Sequence, residues 1–262
     1  MNVRESPWSP AKARRWRQRW DEQQTYLVPD RELRFDVMLD WLEATVGRRP
    51  RCLDLGCGTG AVAERILDRF PQARCVGVDH DPVLLRIGSS GLGSVGGRMR
   101  WVDADLRSAG WPGSLPRGRF DAAVSSTALH WLTGVQLARC YRSLTRVLRP
   151  QGVFLNADMM AYDAGSVRLR KVSRALSRRA WTRSRGDLAR WTSAWTRWWA
   201  DVEHEPALRP ELELRAQRFP HEHTGTPTPD LEGHRRRLVR SGFRESELVW
   251  SIGENRILAA VR

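Results

Sequence analysis

Residues 51–60 read Arg-Cys-Leu-Asp-Leu-Gly-Cys-Gly-Thr-Gly, a short apolar run that breaks into glycines at 56, 58 and 60. The ten residues that follow, 61–70, carry the apolar spacing of a helix. A strand that passes through a glycine turn into a helix opens a βαβ unit, and glycines let backbone approach a ligand closely because they lack Cβ. The spacing is GxGxG. That separates it from the dinucleotide fingerprint GxGxxG and from the phosphate loop GxxxxGK[ST].

Outward from this loop the alternation continues. Residues 74–79 predict a second strand, and Pro82 is placed to open a helix. Residues 99–102 predict a third strand that runs into Asp103-Ala-Asp105, and 120–124 a fourth, followed by a helix ending near Leu148. Arg149-Pro-Gln-Gly152 reads as a turn into a fifth strand at 153–156, with Gly152 taking the positive φ. A helix at 230–241 and two apolar runs, 248–252 and 257–261, close the pattern as an antiparallel hairpin. Upstream, 10–24 predicts a helix carrying Trp16 and Trp20 on one face. Asp30 is the expected N-cap of a second helix, striped by Leu33, Val37, Leu39, Trp41 and Leu42 and ending at Gly47.

The expected fold class is therefore α/β: a Rossmann-like, seven-stranded, mostly parallel sheet with an antiparallel C-terminal hairpin, N-terminal helices and a helical lid inserted after strand five. The boundaries are 1–49 for the N-terminal segment, 50–160 for the core, 161–229 for the lid and 230–262 for the last helix and strands, in one domain. Within the lid, Trp191, Trp195, Trp198 and Trp199 fall on one helical face, the spacing of a packed core.

Composition limits the function classes. With 41% hydrophobic and 28% charged residues in 262, the chain is of globular type. No apolar run approaches the ~18 residues of a membrane helix, and the first thirty residues lack a secretory pattern. A cytoplasmic location with no membrane partner is expected, as a monomer or homodimer. Cys52, Cys57, Cys75 and Cys140 form neither a zinc spacing nor a disulfide framework. No metal is expected, since His221 and His223 around Glu222 lack a third ligand at a fitting distance. The net charge is +14, and residues 161–200 alone hold ten basic and two acidic groups. That stretch reads first as a solvated helical face; it also admits an RNA-methylating or RNA-binding alternative through 168–185.

Three successive strands end in acids: Asp54, Asp79 and Asp105. Carboxylates around a glycine loop suit a ligand with a ribose, an amino group and little negative charge, and would repel a pyrophosphate. On these residues the chain resembles the class I S-adenosylmethionine-dependent methyltransferases. LDLGCGTG at 53–60 matches the family's first motif, and VGVD at 76–79, DADL at 103–106, FDAAVSSTALHWL at 120–132 and LRPQGVFLNAD at 149–158 follow in order. Gln151 departs from the glycine pair usual in the last motif.

The resemblance implies S-adenosylmethionine as cofactor and S-adenosylhomocysteine as product. It assigns the cofactor to Asp54, Gly56, Cys57, Gly58 and Gly60, to Asp79 for the ribose hydroxyls, and to His80 beside the adenine. Ala104, Asp105 and Leu106 would meet the adenine, with Asp103 as the alternative acid, and Ser125 and Ser126 the methionine moiety. SSTALHWL at 125–132 resembles the corresponding segment of small-molecule methyltransferases of the trans-aconitate and biotin-precursor type. The expected acceptor is thus a small molecule, a natural product or an acidic or aromatic metabolite.

Methyl transfer is an in-line displacement in which the protein aligns the acceptor, excludes water and, where needed, removes a proton. His130 is the candidate base, with Tyr26 as a second catalytic candidate, and Trp20, Tyr26, His130, Trp131, Asp158 and Trp195 are the expected acceptor-binding residues. Several acceptors are disfavoured. The [DNS]PP[YFW] segment of amino-nitrogen methylation is missing, and only Lys12 and Lys171 are available for a Lys-Asp-Lys-Glu site. A third reading keeps the bound cofactor but assigns the site a reaction other than methylation.

Overall fold

A computed structural model describes residues 8–28, 30–163, 165–185, 188–220 and 229–262. Helices α1 (Pro10–Leu27) and α2 (Arg31–Val46) precede β1 (Arg51–Leu55), α3 (Ala61–Arg69), β2 (Arg74–Asp79), α4 (Pro82–Gly91) and β3 (Met99–Asp103). Then come β4 (Phe120–Ser126), α5 (Gly134–Val147), β5 (Leu148–Met159), α6 (Val167–Arg185), α7 (Leu188–Glu203), α8 (Arg209–Arg218), α9 (Leu231–Arg240), β6 (Glu245–Ile252) and β7 (Asn255–Val261). The strands form one seven-stranded sheet in the order β3-β2-β1-β4-β5-β7-β6. The first five are parallel, and β7 pairs antiparallel with both β5 and β6. Among the described residues no helix is long and apolar enough to cross a membrane.

Both faces of the sheet are covered, as parallel strands require. Leu53 and Leu55 of β1 point to one face with Val76, Phe154, Tyr141 and Leu144. Cys52 points to the other, with Phe35, Met38, Leu42, Ile66 and Phe70 from α2 and α3. Asp54 shares that second face, so alternation along β1 puts a carboxylate beneath the first turn of α3. A third cluster is helical: Trp16, Val83, Leu84, Ile87, Trp198, Val202 and Leu208 join α1, α4 and the lid.

The structure revises four local expectations. Asp30 adopts a left-handed conformation with φ +54° and makes no side-chain cap; its main-chain carbonyl accepts from the Arg34 amide. The buried face of α2 is Arg31, Arg34, Phe35, Met38, Leu39 and Leu42, while Leu33 and Trp41 face solvent. In the turn before the fifth strand Gln151, not Gly152, has the positive φ, at +64°. Gly152 is needed there for space: a Cβ would stand 2.8 Å from the carbonyl oxygen of Arg149. β5 itself runs longer than 153–156, since Leu148 already pairs with Phe120.

Candidate functional site

The loop 56–60 crosses the carboxyl end of the sheet between β1 and β4, the position at which open α/β sheets bind ligands. Gly56 has φ +68°, and a Cβ on it would lie 2.3 Å from the Cβ of Ala128. Gly58 has φ +52°, yet its nearest neighbour to an added Cβ is Leu84 at 3.8 Å. The two glycines therefore answer different demands. Gly56 lets the loop lie against the segment after β4, and Gly58 keeps backbone bare beside open space.

Asp54 is 1% exposed. Its Oδ2 accepts from the Ala63 amide at 3.2 Å, capping α3, while its Oδ1 is buried with no partner. Burial raises its pKa to about 7, against the pull of the Ala63 amide and with the added push of the Asp79 charge. Asp79, at the end of β2, accepts from the amides of Gly58 at 2.7 Å, His80 at 2.7 Å and Asp81 at 2.9 Å. Burial still raises its pKa, and the Asp81 charge adds to the rise. Two carboxylates held above their ordinary range around a glycine loop form a site that gains by receiving a cation.

At the end of β3, Ala104 donates to the Asp79 carbonyl at 2.9 Å, and Ala104 and Leu106 are buried. Asp105 is partly exposed and accepts from Arg107 Nε at 2.8 Å. Burial opposes its ionisation, but Arg107 outweighs it and the pKa falls. His80 stands between the acids, with Nδ1 3.3 Å from Asp103 and Nε2 4.0 Å from Asp105. Cys57 is buried within the loop and burial pushes its thiol up, which removes it as a nucleophile.

These residues fit an adenosyl ligand carrying an ammonium and a sulfonium. Asp54 Oδ1 is an acceptor without a donor, Gly58 leaves room, Asp79 ends β2, and Asp105 lies two residues beyond Asp103, which ends β3. A diphosphate would meet the same carboxylates as repulsion.

Across the loop lies a second constellation. Asp158 on β5 is 1% exposed and its Oδ1 is 2.9 Å from His130 Nδ1, while its Oδ2 accepts from the His130 amide at 3.2 Å. Burial pulls the His130 pKa down, but the charge and hydrogen bond of Asp158 outweigh it, so His130 lies above 6.5. Burial pushes Asp158 up, and His130 and Arg34 bring it below its ordinary value. His130 is only two residues from Ala128, which touches Gly56, so the pair sits beside the glycine loop. Trp131 is 46% exposed, its ring centroid 4.8 Å from that of His130.

Arg34 is a site residue that the sequence reading missed. It is wholly buried, and burial lowers its pKa to about 10, so it stays charged near neutrality. Nη1 donates to Asn255 at 3.0 Å, and Nη2 donates to Ser126 and Thr127, each at 2.7 Å. Thr127 has φ +56°, a strained conformation that these bonds and its amide bond to Ala157 maintain. No local signal marked it, because an arginine one turn before Met38 reads as a solvated side chain.

The remaining expected residues divide. Ser126 belongs to the Arg34 network, whereas Ser125 is spent on the Leu55 carbonyl at 2.8 Å and braces β4 against β1. Trp20 and Trp195 meet at 5.6 Å between centroids, and Trp20 also packs on Trp198 and Trp199, so these rings seat the lid on α1. Tyr26 is half exposed near the end of α1. The side chain of Trp191, and His221, Glu222 and His223, lie outside the described residues. Among the described residues no cluster of His, Cys, Asp and Glu is fit to hold a metal.

A family model described as a methyltransferase domain matches residues 52–152. The trans-aconitate 2-methyltransferase of Azoarcus sp. (strain BH72) is 34% identical over 156 residues, 57% of this chain and 54% of that protein. The malonyl-[acyl-carrier protein] O-methyltransferase of Geobacter sulfurreducens is 38% identical over 104 residues, 40% of this chain and 36% of that protein. The chain thus spans about half the length of the curated relatives it matches, or less. Among solved structures, the apo S-adenosylmethionine-dependent methyltransferase SibL aligns over 88% of this chain and 55% of its own, with a TM-score of 0.56 and 16% identity, a likeness of fold. The matched segment runs from β1 into β5, so this part of the chain is similar to the methyltransferase domain family, and the fold around it is similar to that of a solved S-adenosylmethionine-dependent methyltransferase.

Proposed function

We propose that the chain transfers the methyl group of S-adenosylmethionine to an oxygen of a small acidic metabolite. The observation that carries this reading is the His130–Asp158 pair beside the glycine loop. Asp158 engages Nδ1, which fixes the ring and leaves Nε2 as the nitrogen for the acceptor. Buried Arg34 offsets the charge of Asp158 and leaves His130 free to take up a proton. An acidic acceptor is in keeping with the trans-aconitate and malonyl groups in the relatives' names.

Asp54, Gly56, Gly58, Asp79 and Asp105 would hold the cofactor, which when bound supplies an electrophilic methyl on a sulfonium. Asp54 would face its positive charge and Asp79 its ribose hydroxyls, and the bare backbone of Gly58 would let it lie close. Arg34 acts at one remove, by fixing Ser126 and Thr127 and so the course of the chain toward His130. His130 Nε2 accepts the proton of a hydroxyl acceptor, and Asp158 stabilises the imidazolium that results. Trp131 walls the opening against water.

The test incubates the chain with methyl-labelled cofactor and a panel of small carboxylic acids, phenols and total RNA. Labelled ester or ether supports the proposal. Label confined to RNA overturns it in favour of the basic stretch at 168–185. Turnover of a substrate without consumption of the cofactor overturns it in favour of a non-methylating reaction.

A further inference from the structure

The lid reaches back to the cofactor loops through the end of α8, a contact for which the methyltransferase motifs give no reason. Arg218 Nη1 donates to the His80 carbonyl at 2.8 Å and to Asp103 Oδ1 at 2.9 Å, and its Nη2 donates to Asp103 Oδ2 at 2.7 Å. One turn earlier, Arg215 Nε donates to Asp81 at 2.7 Å. Phe219 packs its ring edgewise on His80, 5.9 Å between centroids, and the guanidinium carbons of Arg107 and Arg215 lie 5.6 and 5.5 Å from its centroid. Register pairs Asp79 with Asp103 across β2 and β3. The residues gripped by α8 therefore flank Asp79 on both sides, along the chain at 80 and 81 and across the sheet at 103.

How α8 is held differs from how its neighbours are held. The lid's base is apolar, with Trp198, Val202 and Leu208 buried against α1 and α4, and Lys12 bonds Glu205 there at 2.7 Å. None of the ten residues of α8 is buried. Its grip on the strand-end loops thus rests on charge-assisted bonds and one ring contact, interactions that break at low cost one at a time and that salt screens. α8 is thus anchored to the lid's base, by Leu212 on the Trp198 cluster and by the Arg215 guanidinium 4.0 Å from the Trp199 ring centroid, and reaches the strand-end loops through the weaker contacts of its last turn.

We propose that α8 is a strap that completes the adenosyl end of the cofactor site: Arg215, Arg218 and Phe219 close the loops after β2 and β3 over the bound cofactor and set how slowly it leaves. This rests on the reading of that site as one for S-adenosylmethionine. Arg215 and Arg218 act as positioning residues through Asp81, His80 and Asp103, and Phe219 acts through His80.

The test measures binding and release of S-adenosylhomocysteine by the full chain, wild type against Arg215→Gln/Arg218→Gln and against Phe219→Ala. The double variant is expected to weaken affinity about tenfold, almost entirely through faster release. Raising salt from 50 to 500 mM should accelerate release from wild type and leave the double variant unchanged, a difference that simple loss of packing would not produce. Melting temperatures should stay close to wild type, because the substituted side chains are not fully buried and the apolar anchor at Leu212 is untouched. Wild-type binding with release rates that the substitutions and salt do not alter would overturn the strap alone. No wild-type binding would overturn the functional reading and the strap with it.

Discussion

Substituting Asp54 by Asn should stabilise the free protein while weakening its hold on the cofactor. In the unfolded chain this carboxyl titrates near 3.8, and in the fold burial raises it to about 7. Between those values the folded state keeps a proton that the unfolded chain has released. Stability is therefore fully present below 3.8 and is lost as pH rises toward 7, by about 4 kcal/mol once both states are ionised. Asparagine keeps the acceptor for the Ala63 amide and carries no charge, so its stability does not follow this curve. The gap between variant and wild type should widen by about 3 kcal/mol between pH 5 and pH 8, about 6 °C in melting temperature for a chain of this size. Titration calorimetry at pH 8 should show S-adenosylhomocysteine bound about tenfold or more weakly by the variant, the loss of a charge-assisted bond. A gap that stays constant with pH, or an unchanged affinity, would refute the account of Asp54 as a buried charge awaiting a cation.

Three further expectations concern the other parts of the site. Gly58→Ala meets no clash, with its nearest neighbour at 3.8 Å, but forces a side chain to φ +52°. It should cost about 1–2 kcal/mol in denaturant unfolding yet weaken cofactor binding by more than that strain alone, because the methyl occupies ligand space. His130→Ala should lower kcat about 100-fold or more and abolish the rise of kcat with pH on the acidic side. In wild type that rise should be centred above 6.5 and move to lower pH in Asp158→Asn, since Asp158 is what raises His130; a rate that falls as His130 deprotonates would exclude the base role. Arg34→Met should destabilise the fold by about 3 kcal/mol in urea unfolding, because Asn255, Ser126 and Thr127 each lose a buried donor. Arg34→Lys should recover little of it, as an ammonium cannot span those three acceptors.

What was legible in the sequence was periodic or glycine-marked. The strands from β1 to β4 and the closing hairpin show as short apolar runs bounded by turns, and Gly56 marks the loop because a side chain at φ +68° would strike Ala128. The acids at strand ends follow from the same registers. Arg34 was hidden because burying a guanidinium depends on acceptors from β4 and β7, far away in sequence, which local periodicity does not register. Ser125 and Ser126 are adjacent and alike in sequence, yet the pleat turns one toward the Leu55 carbonyl and brings the other to Arg34. Trp20 and Trp195 were expected at the acceptor, although Trp195 shares a stripe with the spacing of a core, and the two rings pack on each other where α1 crosses the lid.

The sheet order carries a consequence for how this protein comes together. β7, the latest strand in the chain, is threaded between β5 and β6 and supplies the Asn255 that meets Arg34 from 221 positions away. A fragment limited to residues 52–152 would keep the loop and its acids but lose Arg34 and most of β5, leaving the β4 edge unpaired. Assembly of the catalytic end must therefore wait for contacts between remote parts of the polypeptide, and such topologies acquire their native state slowly. Excising the matched segment for expression should yield an aggregating piece with a bare strand edge.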